Sequence, residues 1–222
     1  MPLPNRPQAV VFDMDGVLFD SESLYAEAIQ IAAAEMGVVV SAELVRRTIG
    51  SSWIATNALF RAELRADFPV DELRAAWMRH YEALADVRLA LKPGVVELLD
   101  TLDALAIPRA IATSSFPASA THHLGHHGLT DRFHAVVAFG DYARAKPAPD
   151  PFLTAAARLG VPPGQCLALE DSHNGIRSAA SAGMVTVMVP DLLAPTDEIR
   201  SLCAHVAFDL HEVRAMVLAD AG

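Results

Sequence analysis

Two hydrophobic rhythms divide this chain. Gln8 to Phe12 is a short apolar run of the kind that forms a strand buried on both faces. From Asp20 to about Leu91 the apolar positions recur only at helical spacing. Asp20 or Ser21 can cap the first helix there, Leu24, Ile29, Ile31, Ala32 and Met36 supply one face, and Gly37 ends it. Further helices are predicted over Ala42–Thr48, Trp53–Ala66 and Asp71–Asp86, and Pro93-Gly94 ends the helical stretch. Beyond it the two rhythms alternate. Helices are predicted at Val95–Leu105, Pro117–His127, Pro151–Leu159 and Gly175–Ala182. Strands are predicted at Arg109–Thr113, Ala135–Phe139, Cys166–Leu169 and Val185–Val189. Strands alternating with helices imply right-handed crossovers and a mainly parallel sheet. In such a sheet, ligands bind beyond the carboxyl ends of the strands.

The first strand ends in Asp13-Met14-Asp15-Gly16. Residues i and i+2 of an extended chain point the same way, so Asp13 and Asp15 share one small space. Two crowded carboxylates resist full ionisation unless a cation joins them. The pair suits Mg²⁺, a hard ion that takes carboxylates, water and phosphate oxygens. It also offers one carboxylate as nucleophile and one as acid/base.

The chain has 222 residues, 52% of them hydrophobic and 20% charged, which fits a packed protein of one large domain or a core plus a smaller one. A formal net charge of −10 argues against a nucleic-acid partner held by phosphate contacts. It leaves room for a small anionic substrate, because a metal and one or two cations outweigh the global field locally. Cys166 and Cys203 follow no metal or redox spacing and read as reduced thiols. The opening Met1–Pro7 lacks an apolar signal core, and no run approaches a membrane span, so a cytoplasmic protein without a membrane partner is expected.

Asp13-Met14-Asp15-Gly16-Val17 resembles the first signature of the haloacid dehalogenase (HAD) superfamily, in its phosphatase-type form. Three further stretches match in the family's order. Ile111-Ala112-Thr113-Ser114-Ser115 is an apolar run ending in hydroxyl residues. Lys146-Pro147-Ala148-Pro149-Asp150-Pro151 is similar to the lysine motif, and Cys166 to Gly175, with Glu170-Asp171, to the acidic metal motif. The resemblance runs roughly from Gln8 to Phe208. It implies an α/β fold: a Rossmann-like parallel-sheet core (residues 1–19 and 92–222) with an inserted helical cap (20–91).

On this resemblance Asp13 is the nucleophile that forms an aspartyl-phosphate, and Asp15 is the acid/base. Thr113 and Ser114 bind phosphate. Ser114 and Ser115 open the following helix, whose free N–H groups suit an anion. Lys146 neutralises Asp13 and the transferring group. Mg²⁺ is the implied cofactor, held by Asp13, the Asp15 main-chain carbonyl and Asp171, with Glu170 direct or through water and Ser172 and Asn174 as supports.

The implied activity is a Mg²⁺-dependent phosphatase acting on a small phosphomonoester, a sugar phosphate or a nucleoside or pseudouridine monophosphate. The overall pattern is most similar to the beta-phosphoglucomutase and sugar-phosphatase branch, and the expected assembly is a monomer or small homo-oligomer. One alternative is a phosphosugar mutase. Against it, Tyr25 and, by the Ile49-Gly50-Ser51-Ser52 stretch, Trp53 stand where beta-phosphoglucomutase has a cap histidine and arginine. A second alternative is a non-catalytic binder of phosphorylated ligands. His122, His123, His126 and His127 form two i,i+4 pairs, but no glutamate completes a zinc motif and an exposed helical face is expected. Trp53 and Trp77 are expected to pack in the core of the helical stretch.

Overall fold

A computed structural model describes residues 3–49 and 53–219 of the chain. Residues 50–52, on which the mutase comparison of the Ile49-Gly50-Ser51-Ser52 stretch depends, lie outside the described residues. The chain divides into two compact units, one of residues 1–19 and 91–222 and one of residues 20–90.

The first unit opens with β1 (Ala9–Phe12), whose four residues are all buried. The second unit then intervenes with α1 (Glu22–Glu35), α2 (Ala42–Thr48), α3 (Trp53–Glu63) and α4 (Val70–Arg88). The first unit resumes with α5 (Val95–Ala104), β2 (Arg109–Ala112), α6 (Pro117–His126), β3 (Ala135–Val137), α7 (Asp150–Leu159) and β4 (Cys166–Glu170). It closes with α8 (His173–Ser181), β5 (Val185–Met188), α9 (Asp197–Leu202), β6 (His205–Val206) and α10 (Leu210–Ala219).

The six strands form one parallel sheet in the order β3-β2-β1-β4-β5-β6. From β1 the chain steps outward to β2 and β3, then returns to place β4 on the other flank of β1. That reversal opens a crevice at the carboxyl ends of β1 and β4, the place where open α/β sheets bind ligands. Register sets what meets there. Phe12 pairs with Ile111 of β2 and Leu169 of β4, so the residues that follow each of them emerge side by side.

The sheet holds because both its faces are apolar. Val11, Ala110, Ala112 and Ala168 pack with Phe152 and Ala155 of α7 and Ala179 of α8 in one buried cluster. Full burial of a side chain such as Phe12 contributes ~1.5–3 kcal/mol relative to exposure. The small alanines let α7 and α8 approach the strands closely.

The helical unit has its own core of Ile29, Ala32, Phe60, Phe68, Val70 and Leu73. Trp53 and Trp77 pack against it, as expected. The Arg74 guanidinium lies 4.4 Å over the Trp53 ring. The Trp77 Nε1–H donates to the Tyr25 carbonyl at 3.0 Å, and Tyr25 stacks on Tyr81.

Element boundaries differ from expectation where side chains intervene. β3 stops at Val137 because the Asp141 carboxylate takes the Ala138 N–H at 3.0 Å, turning the chain before Phe139. α8 starts at His173, ahead of Gly175, because Ser172 caps it, its Oγ accepting from the Gly175 N–H at 3.1 Å. From Asp197 onward the chain adds α9, β6 and α10, none of them expected. β6 is two residues long and lies at the sheet edge, too short for any alternation to register. Among the described residues no helix is long and apolar enough to cross a membrane.

Candidate active site

The site grows from the carboxyl ends of three adjacent strands. Asp13 follows β1, and its backbone N–H continues the ladder by donating to the Leu169 carbonyl at 2.8 Å. Thr113 follows β2 and donates in the same way to Val137 at 2.9 Å. Glu170 is the last residue of β4, and Asp171 comes directly after it. Asp13, Thr113, Glu170 and Asp171 are all buried.

Lys146 arrives from the segment between β3 and α7 and joins them. Its Nζ donates to Asp13 Oδ1 at 2.5 Å, to Glu170 Oε1 at 2.6 Å and to the Ala112 carbonyl at 2.9 Å. All three ammonium protons are thus used, and the side chain is 7% exposed. Burial by itself would lower the lysine pKa. The carboxylates of Asp13 and Glu170 outweigh burial and hold it above its usual value. Burial pushes the Asp13 carboxyl up to about 8. Lys146 pulls it down, while the charges of Glu170 and Asp15 push it further up. A carboxylate so placed is poorly solvated and gains from any further cation.

Glu170 is hydrogen-bonded at both oxygens. Oε1 holds Lys146, while Oε2 accepts from the N–H groups of Asp171 and Ser172 and from Ser172 Oγ, each at 3.0 Å. This carboxylate orients the lysine and is itself oriented by the turn into α8. The Asn174 side chain accepts from Arg177 at 3.3 Å.

Asp15 lies half-buried past the strand end. The Ser115 hydroxyl donates to its Oδ2 at 2.7 Å, and the Ser115 N–H donates to Thr113 Oγ1 at 2.9 Å. Ser115 therefore ties the first and second motifs together. The Tyr142 hydroxyl donates to the Thr113 carbonyl at 3.2 Å, and burial holds its phenol above the usual pKa. The sequence placed Ser115 only at the start of an anion-binding helix, not on Asp15, and did not single out Tyr142. Ser115 carried a signal, standing two residues from Thr113 on the same side of an extended segment; Tyr142 carried none.

Ser114 is exposed. Ser114 and Ser115 were expected to open the following helix. They lie in the turn before it, because Pro117 takes the first helical position of α6 and Phe116 is its cap.

Two glycines keep the acidic groups close together. Gly16 has φ +80°, and a Cβ there would run into the Asp171 carboxylate. A Cβ at Gly175 would overlap the Glu170 carboxylate. Glycine to alanine inside a helix ordinarily gains up to ~1 kcal/mol. Gly175→Ala is expected to do the reverse, losing ~1–3 kcal/mol by overpacking a carboxylate already fixed by four donors. Urea unfolding of the two proteins reads the sign directly.

The residues present fit a divalent metal. Asp13, Glu170 and Asp171 each present a carboxylate oxygen, all within 4.8 Å of one another. An all-oxygen donor set, crowded and short of cations, suits a hard ion such as Mg²⁺.

The histidines of α6 do not form a comparable centre. Among the described residues the acidic trio is the only such ligand group of three or more. The expected exposed face holds for His122 and His126. It fails for His123, which is buried with its ring 5.7 Å from that of Phe19. An apolar neighbour turned one side of the helix inward. Both cysteines are free thiols, raised by burial to about 11 and so unreactive.

Comparison with known proteins agrees with this arrangement. The family model for haloacid dehalogenase-like hydrolases matches residues 7–183. The fructose-1-phosphate phosphatase YqaB of Escherichia coli is 34% identical over 83% of this chain and 97% of its own. The plasmid-encoded protein CbbY of Cupriavidus necator is 34% identical over 86% of this chain and 81% of its own. The crystal structure of CbbY from Rhodobacter sphaeroides in complex with phosphate superimposes with a TM-score of 0.80 at 26% identity, covering 93% of this chain and 96% of that one. The chain belongs to the haloacid dehalogenase-like hydrolases. Within them it falls on the sugar-phosphatase-like branch and is a hydrolase of phosphoric monoesters.

Proposed function

We propose that this protein is a Mg²⁺-dependent phosphatase of small phosphorylated metabolites, sugar phosphates foremost, working through a phosphorylated Asp13. The observation that carries the reading is Lys146 held between Asp13 and Glu170 at the mouth of the β1–β4 crevice. A lysine so buried among carboxylates serves a negative charge that arrives and leaves. The relatives named above, one of them a fructose-1-phosphate phosphatase, support the substrate class.

In this reading the substrate phosphoryl group meets the Thr113 hydroxyl and the Ser114 backbone N–H, with Lys146 neutralising its charge. Asp13 attacks phosphorus as the ester oxygen leaves, and Asp15 supplies the proton that this oxygen needs. A water then attacks the aspartyl-phosphate, Asp15 takes its proton, and phosphate departs. The Ser115 hydroxyl, bonded to Asp15 Oδ2, holds the acid/base carboxylate in place. Mg²⁺ would be held by Asp13, Asp171 and the Asp15 main-chain carbonyl, with Glu170 acting through water, and it would neutralise phosphoryl charge when bound. The helical unit of residues 20–90 is read as the cap that selects the substrate.

The direct test is phosphate release from a panel of sugar phosphates, nucleoside and pseudouridine monophosphates and small phosphoacids, with Mg²⁺ and with chelator. Release that requires Mg²⁺ is expected. Isomerisation of beta-glucose 1-phosphate to glucose 6-phosphate without net release would replace the phosphatase by a mutase, and silence on every ester would defeat both. Asp15→Asn is expected to accept phosphate from a reactive donor yet turn over roughly 10²–10⁴-fold more slowly. Rapid-quench trapping of the phosphorylated protein checks it.

A further inference from the structure

The acidic site has a neighbour that its motifs do not include. Lys92 and Asp191 form a secluded ion pair, Nζ to Oδ1 at 2.8 Å, with side chains 20% and 10% exposed. The second Asp191 oxygen, Oδ2, is buried and has no hydrogen-bond partner among the described residues. A buried carboxylate oxygen without a hydrogen-bond donor is costly to keep, so its persistence asks for a reason.

Its position supplies one. Asp191 stands three residues beyond the carboxyl end of β5, on the same edge of the sheet as Asp13 and Asp171. Asp191 Oδ2 lies 3.4 Å from where a Cβ of Gly16 would be, and Asp171 Oδ2 lies closer still to the same point. The two carboxylate oxygens thus face one small space beside the loop that carries Asp15, within reach of a single bridging water. Lys92 is tied to that loop as well, its backbone N–H donating to the Leu18 carbonyl at 2.9 Å.

We propose that Asp191 is a positioning residue of the metal site: Oδ2 accepts a hydrogen bond from a metal-bound water beside Asp171, and Lys92 offsets the added negative charge. This rests on the Mg²⁺ reading above and extends it by one carboxylate. Outer-sphere carboxylates of this kind typically change metal affinity by roughly 10–100-fold.

The experiment measures metal binding, not turnover. Mg²⁺ titration calorimetry, with Mn²⁺ electron paramagnetic resonance as a second readout, is run on the metal-free full chain, on D191N and on K92M. D191N is expected to bind roughly 10-fold or more weakly while keeping its circular dichroism spectrum. K92M removes the ion pair but keeps the acceptor, so it is expected to bind at least as tightly as the parent. Equal weakening in both variants would reduce Asp191 to an ion-pair partner and overturn the proposal, as would unchanged affinity in folded D191N. Where D191N loses its fold, K92M/D191L removes both buried charges together and carries the same expectation. D171N separates the two readings: if it too binds Mg²⁺ like the parent, the metal site itself has been misplaced.

Discussion

Asp13→Asn is expected to lower turnover by roughly 10⁴-fold or more and to abolish the phosphorylated protein altogether, because the amide is no nucleophile. The fold should survive the change. Asparagine keeps the shape, the backbone bond to Leu169 is untouched, and Lys146 retains Glu170 and the Ala112 carbonyl. Phosphate release and acid-quench trapping of the acyl-phosphate read the two losses, and a binding titration of the substrate on the variant separates them from loss of substrate binding. Near-normal turnover by the folded variant would remove Asp13 from the nucleophile's role, and the cluster would then have to act on a water.

Lys146→Met has the largest expected effect on stability. Methionine keeps an apolar stem to pack near the Phe152 ring, 5.1 Å from the lysine Nζ, but takes away the cation that Asp13 and Glu170 share. Breaking a buried pair by removing one partner costs ~3–5 kcal/mol. For a chain of this size that lowers the melting temperature by roughly 6 °C or more.

The loss depends on pH, and its sign follows from Asp13. Its folded-state pKa is already raised to about 8 with Lys146 present, against about 4 for an unfolded aspartate. A raised carboxyl contributes full stability only below its unfolded pKa, and loses it as pH climbs through the folded one. Without the lysine the folded pKa moves higher still. The deficit of the variant relative to the parent is therefore expected to stay level up to about pH 8, where Asp13 is protonated in both folded proteins, and to grow from about pH 8 to pH 10. Denaturant midpoints across that range, taken in chelator, give the slope; a deficit that shrinks with rising pH would contradict the assignment.

The placement of its charged residues explains why the candidate site was so legible. Asp13, Asp15, Lys146 and the Glu170-Asp171 pair each follow a short apolar strand or open a helix, and a parallel sheet must bring such positions to one edge. Period and punctuation sufficed for that: β1, β2, β4 and β5 are apolar runs that stop at polar residues, and Gly37 and Gly183 mark the ends of helices. Where local pattern is weak, the reading was weak. The two-residue β6 owes its strand to Met188 and Val187 beside it, a partner supplied by tertiary structure. The inward turn of His123 toward Phe19 is likewise a contact between residues 104 positions apart in the chain.

The sequence by itself determined the parallel α/β core, the interruption by a helical unit and the acidic and basic residues that gather at one edge of the sheet. These depend on periodicities and on residue chemistry, which are local. Only the tertiary structure decided how those residues share their hydrogen bonds. Lys146 spends its three protons on Asp13, Glu170 and a carbonyl; Ser115 takes one oxygen of Asp15; Asp191 leaves one oxygen near Gly16. Partners of this kind come from separate strands, and distance, orientation and burial choose among them only after the sheet has closed.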